Sequence, residues 1–133
     1  MNPDEIVMYI LVNEDLKKIL GTGKTAAQVA HSACKIVSRL EKLLVAEPQR
    51  DDVCWYDAWY KGSYVKIVVK AKEYFLTEMM QKYPPIGENK VWTTYTKDEG
   101  RTQIPKNSLT TVAFNPAPRS ELPKELEELS LLN

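Results

Sequence analysis

Residues Ile6-Val-Met-Tyr-Ile-Leu-Val12 form an unbroken apolar run that is rich in β-branched and aromatic side chains. A strand with one face in water alternates apolar and polar residues, whereas a continuous apolar run is typical of a strand buried on both faces. Such a strand belongs to a sheet that is covered by helices, so this run predicts an α/β fold. With 133 residues, the chain has the length of one domain, and we expect residues 1–133 to form it.

The rest of the chain continues the alternation of strands and helices. Apolar residues recur at helical spacing up to Pro48, and Thr25 and Gln28 have the spacing of a capping box, so we expect this helix to begin near Thr25 after a polar loop. Two helical crossovers imply parallel strands. The prediction is an α/β single domain with a four-stranded mixed β-sheet flanked by helices, in the order β-α-β-α-β-β-α. Further helices are predicted over 72–83 and 122–132, and further strands over 64–71, 90–96 and 109–114.

The segment over 49–63 leaves two interpretations open. Its aromatic residues Trp55, Tyr56, Trp59 and Tyr60 fit a short helical turn packed on the sheet, and they fit an aromatic loop equally well. Together with an exposed edge strand, these aromatics would also support a homodimer, although the same side chains are equally compatible with a core position.

Composition excludes several classes of protein. The 18 basic residues balance the 18 acidic ones, so a nucleic-acid ligand would have to bind through a local basic patch. Two cysteines and one histidine are too few for an ordinary zinc site and fit a reducing compartment. No stretch approaches the ~20 apolar residues of a membrane span, and the start of the chain does not resemble a signal peptide. We therefore expect a cytoplasmic protein that needs no membrane, metal or cofactor.

A first candidate site lies at the start of the long helix. On a helical wheel, Lys24, Gln28, His31 and Lys35 fall on one polar stripe, opposite the apolar residues. On most helices such a stripe is simply the solvated face. Lys24, however, stands near the predicted helix N-terminus, where free N–H groups favour anions and a cation gains nothing from the helix dipole. This position suggests that Lys24 takes part in binding or chemistry.

A second candidate site is the segment from Asp98 to Thr110, which gathers a carboxylate, a guanidinium and several hydroxyl groups. Its alternative interpretation is a turn with polar side chains. The spacing of a phosphate-binding loop is absent around Lys24, and so is the nucleophile motif of serine hydrolases. The residues alone therefore predict a polar site made of two segments.

Four stretches, in order over nearly the whole chain, resemble the type-2 peptidyl-tRNA hydrolase family, the archaeal and eukaryotic kind. They are Gly23-Lys-Thr-Ala-Ala-Gln-Val-Ala-His-Ser-Ala33, Lys66-Ile-Val-Val-Lys-Ala71, Asp98-Glu-Gly-Arg-Thr-Gln-Ile104 and Ser108-Leu-Thr110. That family hydrolyses the ester that joins a peptide to the terminal ribose of tRNA. The resemblance implies the strand order 2-1-4-3, peptidyl-tRNA as substrate, and no cofactor.

The resemblance also assigns roles to individual residues. The family's catalytic lysine falls on Lys24, its aspartate on Asp98 and its two threonines on Thr102 and Thr110. Gln28 and His31 match polar residues that flank that site. Where the family usually has lysine, this chain has Thr22. The candidate contacts to tRNA phosphates are Lys17, Lys18, Lys35, Arg39, Lys97, Arg101 and Lys106.

The chemistry admits alternatives at this point. Asp98 either accepts a proton from the attacking water or orients Lys24 through an ion pair, and the threonine hydroxyls either position the water or donate to the carbonyl oxygen. A threonine nucleophile is less favoured, because no adjacent base is visible. The alternative functions are a non-catalytic tRNA- or protein-binding module of the same fold and a general small-molecule esterase.

Overall fold

The computed structural model describes residues 2–98 and 107–133. In this part of the chain, helices flank an open mixed sheet of five strands, which confirms the predicted α/β class. The sheet differs from the prediction by a fifth strand, a two-residue segment that pairs with the first strand, and by the later starts of the second and third strands, at Lys66 and Thr93. The elements are β1 (Ile6–Asn13), α1 (Lys17–Ala46), α2 (Asp51–Lys61), β2 (Lys66–Ala71), α3 (Glu73–Lys82), β3 (Thr93–Lys97), β4 (Leu109–Phe114) and β5 (Ala117–Pro118).

The sheet has the order β2-β1-β4-β3, with β5 paired to the start of β1, which is the order that the resemblance implied. β1 runs parallel to β2, and β4 runs antiparallel to both β1 and β3. β1, β2 and β3 therefore point in the same direction, as the helical crossovers predicted. Their carboxyl ends meet at one edge of the sheet, where β4 begins.

β1 is the centre of the core, as its apolar run predicted. Residues from Val7 to Asn13 are buried without exception. On one face, Leu11 and its neighbours pack against α3 through Leu76 and Met79. On the other face, the side chain of Ile10 belongs to a second apolar cluster, which joins β1 to α1 and α2.

α1 begins earlier than predicted. It starts at Lys17, and it is interrupted only at Gly21, whose φ of 74° is readily adopted by glycine. The predicted start at Thr25 is wrong, because Thr25 lies inside the helix and the side chain of Gln28 makes a tertiary hydrogen bond instead of a cap. The glycine allows one extra turn to precede the main helix, and that turn carries Lys17 and Lys18.

The aromatic segment forms α2, so the helical interpretation is correct. Tyr56 and Trp59 are buried on the helix's inner face. Asp52, only 1% exposed, accepts hydrogen bonds from Trp92 Nε1 at 2.8 Å and from Arg50 Nη2 at 2.9 Å. This buried network ties α2 to the residue that precedes β3.

The predicted C-terminal helix over 122–132 does not form. The structure has 3-10 turns at Arg119–Glu121 and Lys124–Glu128, and Leu131 then pairs with Val69 of β2. The buried residues Leu122 and Leu126 account for the helix-like spacing. The chain beyond them forms backbone hydrogen bonds with the edge of the sheet. Among the described residues, no helix is long and apolar enough to cross a membrane.

Candidate active site

Lys24 and Asp98 meet at the edge of the sheet where β1, β2 and β3 end. The distance from Lys24 Nζ to Asp98 Oδ1 is 3.4 Å. The Asp98 side chain is fully buried, whereas the Lys24 side chain is 31% exposed. The pair therefore joins a buried carboxylate to an ammonium group that faces solvent, at the position where open α/β sheets bind their ligands. The two segments that the sequence singled out are brought together.

The backbone on both sides of Asp98 is fixed by β4. The Asp98 N–H donates to Ser108 O at 2.9 Å, and Asp98 O accepts from Asn107 N at 2.7 Å. The pairing of β3 with β4 shifts register between Thr96 and Lys97, which marks a bulge of the kind found beside active sites. The orientation of Asp98 is therefore set by strand pairing.

Thr110 is fully buried and its hydroxyl group is engaged on both sides. Thr110 Oγ1 donates to Thr96 O at 2.9 Å and accepts from Gln28 Nε2, also at 2.9 Å. A hydroxyl has a single proton to donate. In this arrangement that proton is used by the backbone of β3, so the Thr110 hydroxyl acts toward the site as an acceptor.

A polar layer joins α1 to the sheet beneath it. Ser32 Oγ lies 2.9 Å from Thr96 Oγ1 and 2.6 Å from Thr111 Oγ1. Thr111 Oγ1 also donates to Gln28 O at 3.1 Å. The helical wheel placed Gln28 opposite the core, which is wrong, because Gln28 is only 2% exposed and packs on β4. The hydroxyl groups of Thr96 and Thr111 thus form a polar patch on the sheet, and the polar face of α1 packs against this patch.

The other members of the predicted stripe lie at the surface. His31 and Lys35 are exposed, and Lys35 Nζ donates to Tyr95 O at 2.6 Å. Ala26 and Ala30, two of the apolar residues that recur at helical spacing in α1, are exposed and line an open groove of about 660 Å³. The helix is thus rotated relative to the prediction, so that its site-forming face is directed at β3 and β4.

Lys17 and Lys18 lie in the first turn of α1. Together with Lys70, they line a cavity of about 570 Å³ that extends to Thr22 and Thr25 of α1. Lys17 Nζ also donates to Asn133 O. Three ammonium groups line this cavity against the single side-chain carboxylate of Glu14, so its excess of positive charge favours an anionic ligand.

Asn13 is a site residue that the sequence analysis assigned only to a polar loop. It is fully buried, and its Nδ2 donates to Leu109 O at 2.8 Å and to Glu73 Oε1 at 2.9 Å. It thereby fixes the start of β4, next to Thr110, against the end of β1. The available signal was its place directly after a buried strand, at the edge where the site forms. Thr102, Arg101 and Lys106 lie outside the described residues.

The sequence matches the family model described as "Peptidyl-tRNA hydrolase PTH2" over residues 6–132. Proteins named peptidyl-tRNA hydrolase are similar to it over nearly their full length. The protein from Sulfolobus acidocaldarius is 33% identical over 126 residues, which cover 94% of this chain and 98% of that protein. For Sulfurisphaera tokodaii the identity is 35% over 125 residues, 94% of this chain and 97% of that protein. For the protein from Thermococcus onnurineus the identity is 32% over 124 residues, which cover 92% of this chain and 94% of that protein.

Proposed function

Because this chain belongs to the peptidyl-tRNA hydrolase PTH2 family, we propose that Lys24 and Asp98 form the catalytic centre of a peptidyl-tRNA hydrolase. The chain is an enzyme that hydrolyses the ester bond of peptidyl-tRNA and releases free tRNA and peptide. The observation that carries the assignment of residues is the 3.4 Å ion pair between a buried carboxylate and a solvent-facing ammonium group.

Lys24 supplies the positive charge of the reaction. When water attacks the ester carbonyl carbon, negative charge develops first on the carbonyl oxygen and then on the departing ribose oxygen. The ammonium group of Lys24 faces the solvent side of the pair and can stabilise that charge. The bond between the carbonyl carbon and the ribose oxygen then breaks, and one proton of the water is transferred to the ribose oxygen. The products are the carboxylic acid of the peptide and the hydroxyl group of the tRNA.

Asp98 orients Lys24. Its carboxylate is fully buried and contacts the ammonium group from the protein side, so it holds that group in place without competing for the substrate. Of the two roles that the sequence left open, orientation is supported by this geometry. A group held by a fixed partner stabilises a transition state without first having to reorganise.

Gln28 and Thr110 are positioning residues in this proposal. Both are buried, and their hydrogen bond joins α1, which carries Lys24, to β4, which pairs with β3, the strand that directly precedes Asp98. For Thr102 the resemblance supports a hydroxyl that either positions the attacking water or donates to the carbonyl oxygen. His31 is exposed near the middle of α1 and is assigned to substrate binding.

The tRNA part of the substrate is held through its phosphates. Lys17 and Lys18 line a cavity that reaches Thr22 and Thr25 of α1, the helix that carries Lys24, and this position supports contacts with phosphates of the tRNA. On the basis of the sequence, we assign Lys35, Arg101 and Lys106 to the same role in binding tRNA phosphates. Contacts of this type depend on salt and are indifferent to base sequence. The free cysteines Cys34 and Cys54 fit action in the cytoplasm.

The proposal is tested by single-turnover cleavage of an N-acetylaminoacyl-tRNA, in parallel with a simple ester. We expect rapid cleavage of the tRNA ester alone, and a loss of about 10²-fold or more for Lys24→Ala. Lys82→Ala is the matched control, since Lys82 pairs with Glu78 on the surface of α3. A folded Lys24→Ala variant with normal activity would contradict the assignment. Equal rates of cleavage of the tRNA ester and the simple ester would favour a general esterase. The absence of cleavage of either ester would favour a non-catalytic binding module.

A further inference from the structure

A second basic cavity lies along α1, away from the Lys24–Asp98 pair. It measures about 310 Å³ and is bordered by β3 and by the segment that precedes it. Three of its six lining residues are cationic, and none of the six is acidic. They are Lys35, Ser38, Arg39, Lys42, Pro85 and Thr94.

Arg39 lies over the ring of Trp92 at this cavity. Its guanidinium carbon lies 4.8 Å from the centroid of the Trp92 ring, and Trp92 is fully buried. Arg39 Nε is itself buried and has no hydrogen-bond partner among the described residues. A stacked, planar guanidinium is suited to bind the oxygens of a phosphate, and an unpaired buried donor costs free energy until an acceptor arrives.

The positive charge around Arg39 is incompletely balanced. Burial, followed by the nearby charge of Arg50, lowers the pKa of Arg39 from its usual value, and the opposite effects of Asp52 and Glu47 are smaller. Asp52 is already bound by Arg50 at 2.9 Å. Lys35 donates to a backbone carbonyl, Tyr95 O, rather than to a carboxylate. The cavity therefore favours an anion from outside the protein.

The cavity stands at a definite distance from the catalytic pair. Lys24 and Arg39 both lie in the part of α1 that follows Gly21, and they are separated by 15 positions in the sequence. At the helical rise of ~1.5 Å per residue, this separation corresponds to about 22 Å along the helix axis. A stacked nucleic-acid strand advances ~3.4 Å per nucleotide. The separation therefore spans about six nucleotides, which is longer than the terminal CCA of a tRNA and reaches its double-stranded acceptor stem.

We propose that the cavity formed by Lys35, Arg39 and Lys42 binds a backbone phosphate of the tRNA acceptor stem while the ester lies at Lys24. The inference rests on the proposed function and extends it. The enzyme then recognises the arm of the tRNA as well as its 3′ end. Discrimination between a full tRNA substrate and a short fragment follows, because only the full tRNA reaches the cavity.

The test compares two substrates that carry the same N-acetylaminoacyl ester, one on full-length tRNA and one on the trinucleotide CCA. For Arg39→Gln we expect the KM for the tRNA ester to rise about five- to tenfold, with kcat within twofold of the wild-type value. The KM for the CCA ester should stay unchanged. The slope of log KM against log salt concentration for the tRNA ester should fall by about one.

Two further variants separate binding from folding. Lys42→Gln removes an exposed charge at the cavity, and we expect a smaller rise in KM for the tRNA ester alone. Lys82→Gln, on α3, should leave the KM for both esters unchanged. An unchanged tRNA KM in both cavity variants, or an equal loss on tRNA and CCA esters, would overturn the proposal.

Failure of the proposed function has a different signature. If wild-type protein cleaves neither ester, the assigned activity is wrong. Direct binding of uncharged tRNA then still decides the role of the cavity: weaker binding by Arg39→Gln than by wild type supports the phosphate site, and equal binding contradicts it.

Discussion

Gln28 Nε2 donates to Thr110 Oγ1 at 2.9 Å, between two side chains that are 82 positions apart in sequence and both buried. This bond joins the helix that carries Lys24 to the strand that flanks Asp98. The geometry of the Lys24–Asp98 pair therefore depends on a polar contact beneath it as well as on the two charged groups.

We predict that Gln28 and Thr110 are energetically coupled. Thr110→Val leaves the Gln28 amide and Thr96 O without their partner, and Gln28→Leu leaves the Thr110 hydroxyl without its donor. Each change should lower the free energy of unfolding by about 1–3 kcal/mol. The double variant should cost less than the sum, by about 1 kcal/mol, in denaturant titrations. Pairing Thr110→Val with Gln81→Ala, an exposed residue of α3, supplies the control, for which additive losses are expected.

Asp98→Asn and Glu99→Gln provide a matched comparison of two neighbouring carboxylates. Both changes keep the side-chain size and remove one charge. Because Asp98 contacts Lys24 at 3.4 Å, its loss of charge should lower kcat by about 10²-fold or more. Glu99→Gln should leave kcat within a few fold, measured on the same N-acetylaminoacyl-tRNA. Similar losses of turnover in both variants would indicate a general electrostatic effect and would count against a specific role for Asp98.

The fold was largely predictable because its decisive signals are local. The apolar run at 6–12 has a single good solution, a strand buried on both faces, and β1 adopts it. The C-terminal prediction failed because Leu122 and Leu126 have helical spacing, whereas short 3-10 turns bury them equally well. The backbone beyond them forms hydrogen bonds with the edge of β2, which no local pattern encodes.

The sequence predicted that Lys24 and Asp98 lie close together, but it did not predict the polar contacts between α1 and the sheet. Lys24 and Asp98 were singled out by position and by resemblance, and the structure brings them together. Gln28 was placed on the wrong face because a helical wheel sorts residues by apolarity. Its true environment is set by Thr110 and Thr111, whose hydroxyls face the helix. Complementarity of this kind belongs to two distant segments jointly.

Thr25→Val should stabilise the protein. Thr25 is 5% exposed, and its hydroxyl is buried without a hydrogen-bond partner in the described part of the chain. Replacing that hydroxyl by a methyl group removes the cost of an unsatisfied polar atom and keeps the β-branched shape. We expect a gain of about 1 kcal/mol, or about 3–5 °C in Tm by thermal unfolding. Thr111→Val is the control, because its hydroxyl is bonded to Ser32 and Gln28, and it should lose stability. A Thr25→Val variant less stable than wild type would contradict the prediction.

Acid should weaken the protein through Asp52. Burial raises the pKa of this carboxyl group, but hydrogen bonds from Arg50 and Trp92, together with the charge of Arg50, outweigh burial and leave the pKa below its usual value of 3.8. A group whose pKa is lower in the folded state than in the unfolded state stabilises the fold fully above the unfolded pKa. That stability is lost as the pH falls through the folded pKa.

The corresponding measurement is urea unfolding of wild type and Asp52→Asn between about pH 7 and pH 2. At neutral pH we expect Asp52→Asn to cost about 3 kcal/mol, since it breaks a buried ion pair at 2.9 Å and weakens the bond from Trp92. Below about pH 4 the carboxyl group of the unfolded wild-type chain takes up a proton, and the folded carboxylate follows at lower pH, so the difference between the two proteins should shrink progressively. Asp57→Asn, at an exposed pair with Lys61, should show a small difference at every pH. A wild-type advantage that stays constant down to pH 2 would show that the charge of Asp52 is not what holds α2 against Trp92.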